Sequence, residues 1–243
     1  MKNLLKTLLF LQLSCAVTNA AAQTAEEDDM AASALKNTVT VYHGYMGLQN
    51  GITNGPFYIF YSNSILRGMP FLDSTKASSG QVTFNGILYE NVTLWYDVVK
   101  EKLVTLSPNY NLMHELTNDR VNDFVIWGRH FKHLRHEEVG RQIPVGYYEV
   151  LFDGAKSKLY KKHIKTIKDE VWDGKMAKVI EEGQAVYVER NGTFYRITNI
   201  PSVLNAYSDH PAEMRDFMRK AGFRNIKNHA ASLPAIAAHY ETL

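Results

Sequence analysis

Residues 81–98, QVTFNGILYENVTLWYDV, constrain this chain more than any other stretch. Asn85-Gly86 stands between two runs of β-branched and aromatic residues. A two-residue Asn-Gly loop selects a type I′ turn, because that turn needs positive φ at both central positions. The turn pairs Phe84 with Ile87 and Val82 with Tyr89 on one face. Strict alternation would then put Asn91 and Thr93 on that face and send Val92, Leu94 and Tyr96 to the other. A β-bulge near Glu90-Asn91 returns those three to the core side and bends the strand. The stretch therefore predicts both a hairpin and curvature.

The pattern continues on both sides. Val39, Val41, Phe57, Ile59, Tyr61, Met69 and Phe71 sit at alternate positions in short runs, punctuated by Asn50-Gly51, Asn54-Gly55-Pro56 and Arg67-Gly68. A reversal at Lys100-Glu101 leads into a return strand over 103–106. Residues 109–116, 121–126 and 131–134 read as further strands, the last two joined at Trp127-Gly128-Arg129. A charged connector, 135–144, precedes a strand over 146–154 and a lysine-rich strand over 159–167. A polar stretch with Asp173-Gly174 then leads to a second Asn-Gly hairpin, 185–197. About ten strands joined by short turns predict an antiparallel meander, curled or closed.

The period changes after residue 200. Residues 201–206 suit a short helix. Asp209 can cap a second, with Pro211 in its first turn, Met214, Phe217, Met218 and Ala221 as its apolar stripe and Gly222 at its end. A third starts near Ser232 and lines up Leu233, Ile236, Tyr240 and Leu243. Such short helices must pack on the sheet, at one end or over one face. The expected class is α+β, mainly β: a curved antiparallel meander or open barrel of about ten strands with two or three short C-terminal helices. A single domain spans 38–243, β-rich over 38–198 and helical over 199–243.

The N-terminus reads as an export signal. Lys2 and Lys6 precede an apolar run, 4–13, that is too short to span a bilayer, and Ala20-Ala21-Ala22 offers a cleavage site. Residues 1–22 are thus a signal peptide, and 23–37 a polar leader or short helix led by Glu26-Glu27-Asp28-Asp29. Lipidation at Cys15 is disfavoured, because Gln12 stands where a lipoprotein signal carries an aliphatic residue. Removing Lys2 and Lys6 leaves 25 basic and 25 acidic residues, a balance that argues against nucleic acid as a partner. The mature chain keeps no cysteine, so neither a disulfide nor a thiol nucleophile is available. Its stability must come from a core, and a chain this size buries roughly 70% of its unfolded surface. No apolar run of the mature chain is long enough to span a membrane, and no glycine-rich phosphate loop or other cofactor signature occurs.

Three constellations carry possible chemistry. His130 and His136 share a strand face with Glu138 nearby, a candidate metal set, while His133 is expected to point the other way and the histidines to sit outside a buried Phe131. Lys132 and Arg135 oppose a cation there. Tyr89, Trp95, Tyr96 and Tyr148 could line a curved sheet and hold an apolar ligand, against the alternative of ordinary core packing. Lys156, Lys158, Lys161, Lys162, Lys165 and Lys168 either face an anionic surface or protect an exposed strand edge. The serines lack a nucleophile elbow, and adjacent acids such as Glu137-Glu138 and Glu181-Glu182 lie in polar segments.

Asn54-Gly55-Pro56-Phe57-Tyr58, Gly68-Met69-Pro70-Phe71, Phe84-Asn85-Gly86-Ile87-Leu88-Tyr89, Leu94-Trp95-Tyr96-Asp97 and Gly146-Tyr147-Tyr148-Glu149-Val150-Leu151-Phe152-Asp153-Gly154 occur in an order that resembles uncharacterised secreted proteins of the Bacteroidetes. The resemblance covers most of the mature chain and implies a periplasmic or cell-surface location. It implies no activity. The expected function is that of an exported, non-catalytic accessory or binding protein of the bacterial envelope, with envelope or outer-membrane proteins as partners. The alternatives are a carrier of an apolar small molecule and a metal-dependent hydrolase using the His130–His136 segment.

Overall fold

The computed structural model describes residues 30, 33–35, 37–38, 51–61, 66–107, 112–172, 174–223 and 232–243. The chain divides into two units, Met1–Asn50 and Gly51–Leu243. In the first, Met30, residues 33–35, Asn37 and Thr38 are helical and exposed. The signal peptide and the expected strands at Val39 and Val41 lie outside the described residues.

In the second unit, eleven strands among the described residues form one sheet. They are β1 (Leu66–Arg67), β2 (Ser78–Phe84), β3 (Ile87–Asp97), β4 (Lys102–Leu106), β5 (Met113–Glu115), β6 (Val121–Ile126), β7 (Arg129–Leu134), β8 (Gly146–Asp153), β9 (Lys158–Trp172), β10 (Lys175–Arg190) and β11 (Thr193–Ile197). The spatial order is β1-β10-β9-β8-β7-β6-β2-β3-β4-β5, with β11 also on β10. All pairs are antiparallel except the two-residue contact of β1 with β10. The mainly antiparallel α+β class is as expected. The order is not a plain meander, because β6 returns to lie beside β2.

The turns follow from their residues. Asn85, Trp127 and Asn191 have φ of 52°, 53° and 50°, each followed by a glycine at 70–77°, so three hairpins close on the two-residue geometry. The bulge at Glu90-Asn91 is present. Gly80 pairs with Val92 and Val82 with Tyr89, so two residues of β3 face Gln81 alone. Asn91 takes φ 54°, and Val92, Leu94 and Tyr96 are buried together with Tyr89. Asn122 in β6 and Leu151 in β8 are also extra residues in their ladders.

These bulges coil the sheet tightly. Through β4 and β3, Glu115 lies level with Trp95; through β2, Val121 lies level with Ile87. In a flat sheet the two ends would stand roughly 30 Å apart. The link from Glu115 to Val121 reaches at most about 21 Å, and part of it is a 3₁₀ turn, Asn118–Arg120. Only a coiled sheet lets so short a link join the two. The inside of the coil is a core of Val82, Phe84, Val92, Leu94, Tyr96, Leu103, Phe124, Phe131 and Tyr147 with their neighbours.

The helices are α1 (His136–Val139), α2 (Ile200–Ala206), α3 (Pro211–Lys220) and α4 (Leu233–Glu241). Asn199 caps α2 by accepting from the Ser202 backbone N–H at 2.9 Å. The last three cover one face rather than plug an end: Val203, Ala206, Met214, Met218, Leu233, Ile236 and Tyr240 pack on Leu159, Val186, Val188 and Ile197. On the opposite face Tyr160, Ala185 and Tyr187 meet Leu134, Val139, Ile143 and Tyr148.

Two strand readings change. The polar stretch after 167 is not a connector but the outer part of a long hairpin, with β9 and β10 paired from Glu189↔Lys158 to Lys175↔Trp172. Among the described residues of 51–71, strand pairing is confined to β1 and isolated bridges at Phe57 and Phe71.

Candidate functional site

Residues 55–61 form a strap along the outer side of β5. The Tyr58 N–H donates to Met113 O at 2.8 Å and the Glu115 N–H to Pro56 O at 2.9 Å. Gly55 is required, since a Cβ there would collide with the Glu115 carbonyl. The strap is pinned from beneath. The Tyr58 hydroxyl donates to Asp97 Oδ2 at 2.8 Å, the Tyr61 hydroxyl to Asp97 Oδ1 at 3.0 Å, and the Lys100 N–H to Oδ1 at 3.0 Å. Asp97 is buried at the end of β3, so these donors replace its lost water. Burial first, then the neighbouring Asp97 charge and hydrogen bond, push both tyrosine hydroxyls well above their usual range. The Lys100 ammonium lies 4.4 Å and 4.6 Å from the two ring centres and donates to Ile59 O.

With Tyr58 turned inward, the strap's other apolar side chains face out. Phe57, Ile59 and Phe60 are 62%, 74% and 62% exposed, with Leu112 also exposed close to β5. Of the alternating residues noted in the sequence, Phe57 and Ile59 are exposed, while Tyr61 turns to Asp97 beside Tyr58. The buried Asp97 selects hydroxyls, and Tyr58 and Tyr61 supply them.

A second polar centre lies where the β3–β4 turn meets β8, β9 and the 3₁₀ turn. Glu101 holds φ 55° in the β3–β4 turn and accepts from the Tyr147 N–H at 2.8 Å and from the Lys162 ammonium. Gly146 beneath it has φ 140°, and a Cβ there would strike both charged groups. Burial lowers the pKa of Lys162, with Glu101 opposing the shift. The Asn118 amide donates to Glu101 O at 3.0 Å.

The aromatic candidates do not share one lining. Tyr89 and Tyr96 belong to the core inside the coil, Trp95 to a cluster with Tyr58, Phe71 and Val104, and Tyr148 to the cluster with Leu134 and Tyr187. Tyr96 touches Phe124, Phe131 and Tyr147 at centroid distances of 5.5, 5.6 and 5.6 Å. The Trp95 indole donates to Thr75 O, and the Tyr148 hydroxyl to Pro144 O.

The metal candidates are engaged separately. His130 faces Asp123 across the β6–β7 ladder at 3.7 Å, and His136 is exposed at the start of α1. Glu138 binds Lys132 at 2.6 Å and accepts from the Arg135 N–H. Among the described residues no three His, Cys, Asp or Glu side chains converge. His133 is buried at 4% exposure instead of standing outside, because period two puts it on the same face as Phe131. Its ring packs 4.8 Å from that of Tyr147. Burial first, and then Arg135, lower its pKa.

The lysine run is matched by acids. Lys158 pairs with Asp153, Lys161 with Glu149 at 3.0 Å, Lys162 with Glu101, Lys165 with Glu182 at 2.7 Å and Lys168 with Glu181 at 2.6 Å. Lys156 donates to Glu241 O. Glu149 gathers Lys161 and His163. Burial alone would raise its carboxyl, but hydrogen bonds from both partners hold it down at about 2.

No family model, no curated protein and no solved structure matches this chain. Among the described residues no helix is long and apolar enough to cross a membrane. Sequence reasoning missed Asp97, Lys100 and Glu101 as site residues. Asp97 closing an apolar strand was the available signal, but its tyrosine partners lie 36 and 39 positions away.

Proposed function

We propose that this chain is an exported, non-catalytic binding protein of the bacterial envelope that docks a partner protein on the strap of residues 55–61. The carrying observation is the exposure of Phe57, Ile59 and Phe60 on a backbone held by the Asp97 clasp and the β5 pairing. Large apolar side chains left in water mark interaction surfaces. Aromatic anchors contribute most where the chain carrying them is ordered beforehand, since less entropy is lost on binding. The pairing of the lysine run with acids speaks against an anionic lipid surface as the target. The export reading rests on the N-terminal signal and on the resemblance to secreted Bacteroidetes proteins. An envelope or outer-membrane protein is the partner class consistent with that location.

The test places a photo-crosslinking amino acid at Ile59 in the native host, with the same label at exposed Asp216 on α3 as control. A discrete protein adduct from position 59, absent at 216 and abolished by Phe57→Ser with Phe60→Ser, supports docking on the strap. Equal labelling from both positions, or none from 59, overturns it. A small molecule retained in native mass spectrometry would favour the carrier reading, and stoichiometric zinc the hydrolase reading.

A further inference from the structure

We infer that the corner between β3, β7, β8 and the 3₁₀ turn is an internal water-binding site, built from Tyr96, Asn118, His133 and Tyr147 and independent of the strap. Four polar atoms there are buried without a partner among the described residues: Tyr96 Oη, Asn118 Oδ1, His133 Nδ1 and Tyr147 Oη. Tyr96 and Tyr147 are 1% exposed and His133 4%. The groups are neighbours. His133 and Tyr147 are directly opposite in the β7–β8 ladder. The rings of Tyr96 and Tyr147 are 5.6 Å apart in an edge-on contact. Asn118 is tied by its amide to the Glu101 carbonyl, and the Glu101 carboxylate holds the Tyr147 N–H.

Their chemistry selects the ligand. His133 Nδ1 is bare, and in the neutral imidazole that nitrogen can serve as an acceptor. With its NH₂ spent on Glu101 O, Asn118 also offers an acceptor. The two phenols supply hydroxyl donors. Two acceptors and two donors are the complement of a water molecule, which donates twice and accepts twice. A cation fits poorly, because the Glu101 carboxylate beside the site is already neutralised by Lys162. Buried polar atoms left bare are costly, and an ordered water relieves that cost. The site takes one water or a short chain of two.

The site is tested with Tyr96→Phe and Tyr147→Phe, which keep the packing and remove one hydroxyl each. Oxygen-17 relaxation dispersion counts long-lived waters, and thermal unfolding gives Tm. The expected result is fewer long-lived waters in each variant than in the parent, with Tm lowered. A small cavity of about 20 Å³ beside Ile52, Phe84 and Leu116 contributes equally to parent and variants and cancels. A raised Tm shows hydroxyls that were merely bare and overturns the inference. An unchanged water count, whatever Tm does, overturns it as well.

Discussion

The Tyr58 hydroxyl donates to the Asp97 carboxylate across 39 positions of chain, over 2.8 Å. That bond fixes which side of the strap faces inward, and so which side chains remain in water. Tyr58→Phe is expected to cost about 2 kcal/mol, the range for a hydrogen bond to a charged group. Asp97→Ala removes the acceptor for two tyrosines and a backbone N–H and should cost more, about 4 kcal/mol. Urea unfolding measures both. Limited proteolysis within 55–61 should speed up in each variant, and an unchanged rate would show that the clasp does not hold the strap.

The bulge residue Asn91 sits at φ 54°, where glycine and asparagine are tolerated and β-branched residues are not. Asn91→Gly should leave stability within about 1 kcal/mol of the parent, while Asn91→Val should cost about 1–2 kcal/mol. Deleting Asn91 should be far worse, because Val92, Leu94 and Tyr96 would rotate out of the core. Circular dichroism melts of the three variants give that ranking, and equal melts would contradict it.

Glu149 is held at about 2 in the folded chain against 4.5 for a free carboxyl. A depressed folded value adds stability that is complete above the unfolded value and is lost as pH falls through the folded one. The window is therefore about pH 4.5 down to about 2. Glu149→Gln should lose on the order of 3 kcal/mol at neutral pH and little at pH 2. Unfolding free energies of parent and variant that differ equally at both pH values would refute the assignment.

Glu241, at the end of α4, accepts from three successive backbone N–H groups, those of Ala155, Lys156 and Ser157, at 2.9–3.1 Å. Gly154 leaves room for it, since a Cβ there would meet the carboxylate. Glu241→Ala should accelerate amide exchange over 233–241 and 155–157 while leaving the β2–β3 hairpin unchanged. Exchange that is uniform with the parent would mean that apolar packing alone holds α4.

What could be read in advance was what neighbouring residues decide. Asn85-Gly86 and Asn191-Gly192 dictated their turns, and the apolar face switch after Tyr89 required the bulge. Pro211, Met214 and Met218 marked α3. The outer half of the β9–β10 hairpin could not be read this way. Lys165 faces Glu182 and Lys178 faces Asp169 at 2.7 and 2.9 Å, with Lys168 diagonal to Glu181. Charged pairs on a strand that buries little leave no hydrophobic period to detect.

By itself, then, the sequence determined the mainly antiparallel class, its turns, its bend and the helices at its end, because each depends on backbone preferences within a few residues. Only the tertiary structure decided that β6 returns beside β2, that His133 is buried against Tyr147, and that Tyr58 and Tyr61 spend their hydroxyls on Asp97. Those outcomes depend on which buried polar group finds which donor across the coiled sheet. A linear pattern encodes side-chain type and period, but not the partner that burial will require.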